Sequence, residues 1–217
     1  MLEKGEQKRI TEIINRLKKE YPQAKIALNY RTPLELLVAT VLSAQCTDER
    51  VNQVTVSLFK KYRKASDYAL ANLETFELEI RSTGFYHNKA KNIITAARII
   101  QEKFGGEVPS TMEDLLTLPG VARKTANIVL GNAFGKVEGI AVDTHVSRLS
   151  QRLGLTKNTT AEKIEKNLMV IISKKDWFQF SYWLIDHGRK VCQAKKPLCQ
   201  ECVLLTLCPS KNEGLKC

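Results

Sequence analysis

Cys192, Cys199, Cys202 and Cys208 form a C-x6-C-x2-C-x5-C array in the last quarter of a 217-residue chain. Four thiolates on such short loops suit one metal centre, either zinc or an iron–sulfur cluster. Structural zinc usually pairs two tight knuckles. Here only Cys199 and Cys202 make one, and Cys208 is followed by Pro209, an ending common to cysteine-ligated clusters. The spacing therefore points to a [4Fe-4S] cubane, with zinc as the second reading and disulfides as the third. Of the other two cysteines, Cys46 lies in an apolar stretch and reads as a buried core thiol, and Cys217 as an idle, exposed one.

The stretch LPGVARKTANIVLGNAF, from Leu118 to Phe134, holds a second candidate. A short helix starting near Thr111 must stop at Pro119 and Gly120, and a new helix must begin by Ala122, giving helix, tight hairpin, helix over about 111–134. Gly120 permits a close backbone approach. The N–H groups around Val121, Ala122 and Arg123 would then face outward and could hold a phosphate without reading a base. An αα-corner with a glycine stop signal is the plainer alternative. Lys124 falls in the first turn of the new helix, beside Arg123. An uncharged amine in such positive surroundings can attack an electrophilic carbon and form a Schiff base, whereas a charged one would merely bind phosphate. Asp143, before Thr144-His145-Val146, reads as a helix N-cap.

Helices must position these groups. Ile10, Ile13, Ile14 and Leu17 keep one face, as do Ala90, Ile93, Ile94 and Ala97 running on to Phe104, and Ala161, Ile164, Leu168 and Ile171. Capping boxes are expected at Thr32 with Glu35, Ser110 with Glu113, and Thr159 with Glu162. The run LELLVATVLSA is apolar nearly all round, which predicts a buried central helix. No useful alternating segment is present, so the chain reads as all-α with about ten helices. The formal charge of +11 favours a polyanionic partner, nucleic acid first, over a merely lysine-rich surface. The opening MLEKGEQKRI predicts no secretory signal, and Leu36 to Leu42 is too short to span a bilayer. A soluble, cytoplasmic and nucleoid-associated protein of a reducing compartment is the expectation.

The hairpin LPGVARKTAN, the downstream AVDTHVSRL and the cysteine tail resemble, in order and spacing, the endonuclease III family of base-excision repair enzymes. SAQCTD at Ser43 to Asp48 and GFYHNKA at Gly84 to Ala90 extend the resemblance over nearly the whole chain. It implies a bifunctional DNA glycosylase and abasic-site lyase that acts on double-stranded DNA containing oxidised pyrimidines or abasic sites, with no membrane partner. A monomer is expected, since one nucleotide is handled at a time. By resemblance, Lys124 attacks C1′ of the deoxyribose and Asp143 is the second catalytic residue. Gln45 fills the space of the extruded nucleotide, and Phe85, where relatives commonly carry leucine, wedges between bases. Gly120, Val121, Ala122 and Arg123 contact phosphate. Many relatives have glycine where this chain has Ala122, which questions the tightness of that contact.

The resemblance further implies a six-helix barrel over 27–137 carrying the hairpin, a discontinuous helical domain of 1–26 and 138–217 holding one [4Fe-4S] cluster on Cys192, Cys199, Cys202 and Cys208, and a DNA cleft between them. The loop between Cys192 and Cys199 would present Lys195 and Lys196 to the DNA backbone, flanked by Arg189. Two rivals remain at this point. One is a related adenine or thymine-mismatch glycosylase; the other is a DNA-binding module that uses its metal as a staple.

Overall fold

The computed structural model describes residues 3–212, and Cys217 lies outside them. Among the described residues there are eleven α-helices, several 3₁₀ turns and no strand. The helices are α1 (Lys4–Glu20), α2 (Pro33–Leu42), α3 (Asp48–Lys61), α4 (Ala65–Ala69), α5 (Leu73–Ile80), α6 (Tyr86–Lys103), α7 (Met112–Leu116), α8 (Arg123–Phe134), α9 (Thr144–Arg152), α10 (Ala161–Ile171) and α11 (Trp177–Lys190). The all-α expectation holds. None of these helices is long and apolar enough to cross a membrane.

The chain divides into two compact units, one of residues 27–138 and one of 1–26 with 139–217. In the first unit, α2 buries every side chain from Leu36 to Leu42, because its sequence is apolar all round. It packs on α8 and α6, and α4 and α5 also pack on α6. Tyr62 at the end of α3, Tyr68 of α4 and Phe76 of α5 join those helices through one stacked and two edge-to-face ring pairs. In the second unit, the stripe Ile10, Ile13, Ile14 and Leu17 of α1 joins Val146 and Leu149 of α9, Ile164 and Leu168 of α10, and Phe180, Trp183 and Leu184 of α11 in one core. The sequence-distant α1 is drawn in because burying that stripe is worth about 2 kcal/mol per aliphatic side chain.

The helix starts need two corrections. Thr32 does cap α2, accepting the Glu35 N–H, and Glu35 in turn accepts the Arg31 N–H. The cap of α7 is Thr111 rather than Ser110: its hydroxyl accepts from Asp114 N, one residue later than expected. Helix α10 starts after Thr160 rather than Thr159, with no side-chain cap. At α7 neighbouring hydroxyls compete and Thr111 caps, whereas at α10 neither threonine does. Ala161, assigned to the apolar face of α10, is exposed, since the first turn of that helix projects beyond the core.

The hairpin forms as expected. Helix α7 ends at Leu116, Leu118 N–H closes on Leu115, and Val121 N–H closes on Leu118, turning the chain tightly into α8. Lys136 binds the two ends of the motif together, its Nζ donating to the Ser110 carbonyl at 2.7 Å and hydroxyl at 2.8 Å. Gly120 has φ +80°, and a Cβ there would lie 3.1 Å from Cβ of Asn92 on α6. Ala122 has φ −90° and ψ 170°, extended backbone open to any L residue. The methyl at Ala122 therefore carries no strain. Gly120→Ala should lower stability by about 1–2 kcal/mol in chemical denaturation, whereas Ala122→Gly should lower it by about 1 kcal/mol or less.

Candidate active site and metal centre

Lys124 sits half-buried in the first turn of α8 and makes no ion pair among the described residues. Its helix starts at Ala122, which has no side-chain group to cap the first N–H donors. By contrast α2, α3, α5, α7 and α9 have Thr32, Thr47, Asn72, Thr111 and Asp143 as caps. An uncapped helix start carries a partial positive charge and donors suited to an anion. Val121 requires a correction: its side chain is 7 % exposed, and its N–H is already spent on Leu118. It anchors the hairpin in the core, so phosphate contact through its own groups is not available.

Gln45 and Phe85 lie in the same unit as Lys124. Gln45 is exposed, three residues beyond the end of α2, and Phe85 is 62 % exposed at the start of α6. Phe85 is thus not a core aromatic. Both adopt the left-handed region, φ 53° and 49°, and among the described residues they are the non-glycine positions that do so. Such backbone costs about 1–3 kcal/mol where no glycine is present, and it gathers where side chains must be held outward. Cys46, expected in the core, is half-buried instead, because α2 ends at Leu42 and the chain has turned outward before it.

In the other unit, Asp143 caps α9: its Oδ1 accepts the Val146 N–H at 2.8 Å. Buried Ile140 and Val142 anchor the segment before it, and Ser181 donates to the Ala141 carbonyl. The Asp143 carboxylate is half-buried and fixed at a helix start. From the same helix, Arg148 donates to the carbonyls of Gly188 and Cys192, and Arg152 donates to Cys192 Sγ at 3.3 Å and to the carbonyls of Gln193 and Ala194. Gly188 makes this crossing of α9 and α11 feasible, since a Cβ there would lie 2.7 Å from His145 Nδ1.

Cys192, Cys199, Cys202 and Cys208 line one pocket with Arg152, His187 and Leu149. Burial pushes the Cys202 and Cys208 thiols up, so a bound cation is what would favour their thiolates. His187 is buried, and burial holds its pKa down to about 4, so the ring is neutral. Its Nε2 lies 3.3 Å from Cys202 Sγ, and its Nδ1 lies 2.8 Å from the Tyr21 hydroxyl. A thiolate can only accept. With Cys202 ionised, Nε2–H donates to sulfur and Tyr21 donates to Nδ1, an arrangement that orients a metal-ligating cysteine. Cys192, Cys202 and Cys208 are free thiols. No group of three or more His, Cys, Asp or Glu among the described residues is gathered for a single ion. Lys195, Lys196 and Arg189 are exposed around the loop.

Arg148, Arg152, His187 and Lys89 have no counterpart among the residues that the sequence singles out. Lys89 left a signal: it occupies the apolar stripe of α6, in register with Ile93, Ala96 and Ile100. The others act through tertiary neighbours, and no local pattern marks them.

The family model for the HhH-GPD superfamily of base excision DNA repair proteins matches residues 38–174. An endonuclease III from Synechocystis sp. is 60% identical over 206 residues, covering 95% of this chain and 94% of the relative. A non-covalent endonuclease III–DNA complex superposes with a TM-score of 0.92 at 45% identity, covering 98% of each chain. A trapped endonuclease III–DNA covalent intermediate gives the same TM-score and identity, over 98% of this chain and 99% of the other. The chain belongs to the endonuclease III family of the HhH-GPD superfamily.

Two substitutions test whether Asp143 has a chemical duty beyond its cap. Asp143→Ala should lower stability by about 1 kcal/mol through loss of the cap, and Asp143→Asn should stay near the native melting temperature because asparagine caps as well. Turnover should fall in both, a decrease that cap strength cannot account for in the asparagine variant.

Proposed function

We propose that Lys124 and Asp143 carry the chemistry of this enzyme, a bifunctional DNA glycosylase and abasic-site lyase of base excision repair. The observation that carries the assignment is the placement of Lys124, half-buried and without an ion pair among the described residues, at a helix start that has no side-chain cap. A phosphate held by the hairpin would bring the sugar of the same strand to the amine.

The uncharged Lys124 Nζ attacks C1′ while the N-glycosidic bond breaks, and the base leaves with the bonding pair and takes up a proton. Opening of the sugar ring gives an imine between Nζ and C1′. Loss of a proton from C2′ then expels the 3′ phosphate by cleavage of the C3′–O bond. The Asp143 carboxylate, held by its cap bond to Val146, stabilises positive charge at C1′ and accepts or returns protons between these steps. Gln45 and Phe85 occupy the stack vacated by the nucleotide, and the aromatic ring can stack on a neighbouring base as well as fill space. Oxidised pyrimidines are the substrate class implied by the family.

The four cysteines fit a [4Fe-4S] cluster: they share one pocket, two are buried enough to resist ionisation alone, and His187 and Arg152 supply donors to sulfur. A cluster bound there would cross-link the segment 192–208, while base loss and β-elimination require no electron from it. Arg189, Lys195 and Lys196 are then fixed on the surface as phosphate contacts, with the DNA bound by a single copy of the protein in the cytoplasm or nucleoid. Zinc is the second reading. Iron and acid-labile sulfide in equal amounts in protein purified without oxygen would establish the cluster; zinc without sulfide would replace it.

Borohydride trapping tests the lysine. Native protein incubated with a duplex containing one thymine glycol, then reduced, should give a covalent protein–DNA band that Lys124→Ala abolishes. Binding without any band from the native protein would leave a monofunctional glycosylase or a binding module. The double variant Lys195→Ala, Lys196→Ala should weaken DNA binding alike on damaged and undamaged duplex. It should also reduce the slope of log K against log salt by about 2, close to 0.9 for each phosphate no longer neutralised.

A further inference from the structure

The side chain of Lys89 is 5 % exposed and pairs with no carboxylate among the described residues. Its ammonium donates instead to two main-chain carbonyls far apart in sequence, Leu42 at 2.7 Å and Thr83 at 2.8 Å. Leu42 is the last residue of α2, and Thr83 the last residue of a 3₁₀ turn, Arg81–Thr83. Gln45 follows the first acceptor by three residues, and Phe85 follows the second by two. The main chain of Lys89 adds a third tie, its N–H donating to the Phe85 carbonyl at 3.1 Å.

From this geometry we propose that Lys89 is a positioning residue that clamps the segments carrying Gln45 and Phe85 in one fixed register, so that the two side chains enter the base stack together. The proposal rests on the assignment of those two residues as the stack-filling pair. One charged group joins the outgoing end of α2 to the turn entering α6, and the two left-handed residues it braces are the strained non-glycine positions of the described chain. Strain of that kind persists only where surrounding bonds over-determine the backbone. An ammonium suits the duty because helix C-terminal carbonyls are electron-rich and unpaired, and a neutral apolar residue would leave both of them buried without a donor. Burial works against the charge; no carboxylate offsets it, and the nearby Cys46 thiol does so only in part. The retained cost is consistent with a role beyond filling the stripe shared with Ile93, Ala96 and Ile100.

The test uses a duplex with a tetrahydrofuran abasic analogue opposite 2-aminopurine, whose fluorescence rises when the stack is invaded, together with borohydride trapping on duplex and on single-stranded abasic oligonucleotides. A single strand has no duplex stack to invade. Lys89→Met should lose most of the fluorescence rise and slow duplex trapping by about tenfold or more, near 1.4 kcal/mol, while trapping on the single strand falls by less than about twofold. Lys89→Arg, with donors for both carbonyls, should restore the signal. An unchanged fluorescence rise in Lys89→Met, or equal decreases on duplex and single strand, would overturn the clamp. Should the methionine variant fail to fold, Lys89→Gln, too short to span both carbonyls, takes its place with the same outcomes. Gln45→Ala and Phe85→Ala run alongside. If neither alters fluorescence, the stack-filling assignment itself is wrong and the clamp falls with it; if both do and the Lys89 variants do not, the clamp alone is wrong.

Discussion

The close approach of the Gly120 backbone to Asn92 lets the hairpin lie against α6 just before α8 begins. A side chain at position 120 would crowd the Asn92 side chain on α6 while holding a backbone conformation that L residues rarely adopt, so the hairpin would be strained against that helix. The contact leaves α2, α6 and α8 packed through their apolar faces with their ends projecting. Each of the three places one residue of the proposed site at an end: Gln45 beyond α2, Phe85 at the entry to α6, Lys124 in the first turn of α8. Packing and chemistry are thus divided between the sides and the termini of the same helices. Helix ends are suited to chemistry because their backbone donors and acceptors are not consumed internally.

Helix α9 performs the equivalent service in the second unit. Its first residue is preceded by Asp143, whose carboxylate closes the helix, and its later turns carry Arg148 and Arg152 into the carbonyls and sulfur of the cysteine loop. A shift of that loop would be felt along one rigid element only nine residues long. Tyr21 of the N-terminal segment reaches the same loop through His187 and Cys202, so the first and last parts of the chain share a polar network as well as a core. Neutral His187 is well matched to this place. A charged ring would bear the cost of burial and could only donate, whereas the neutral one accepts from Tyr21 and donates to sulfur together.

Local rules are broken where function is proposed. Gln45 and Phe85 adopt backbone that glycine would take at no cost, Lys89 is buried without an acid, and α8 begins without a polar cap. Elsewhere α2, α3, α5, α7 and α9 have hydroxyl, amide or carboxylate caps, α1, α6, α10 and α11 lack a side-chain cap as α8 does, and apolar stripes face inward. Departures confined to a few positions are what a folded scaffold can support while holding side chains ready for a partner.

Sequence alone determined the helical class, the hairpin, the position of Lys124 in the first turn of its helix, the cap at Asp143 and the grouping of the last four cysteines before Cys217. Each of these is set within a dozen or so residues by periodicity, a glycine stop or a cap, so no distant neighbour is needed to read it. The choice of Thr111 over Ser110 and of Thr160 over Thr159, the burial of Val121, the exposure of Phe85 and the half-burial of Cys46 were decided by tertiary structure. So were the partners of Arg148, Arg152, His187 and Lys89; the Gly188 carbonyl lies 40 residues from Arg148, and the Leu42 carbonyl 47 from Lys89. A local pattern states which face of a helix is apolar, but which carbonyl a buried cation meets depends on how two helices cross, and that is settled only when the core is packed.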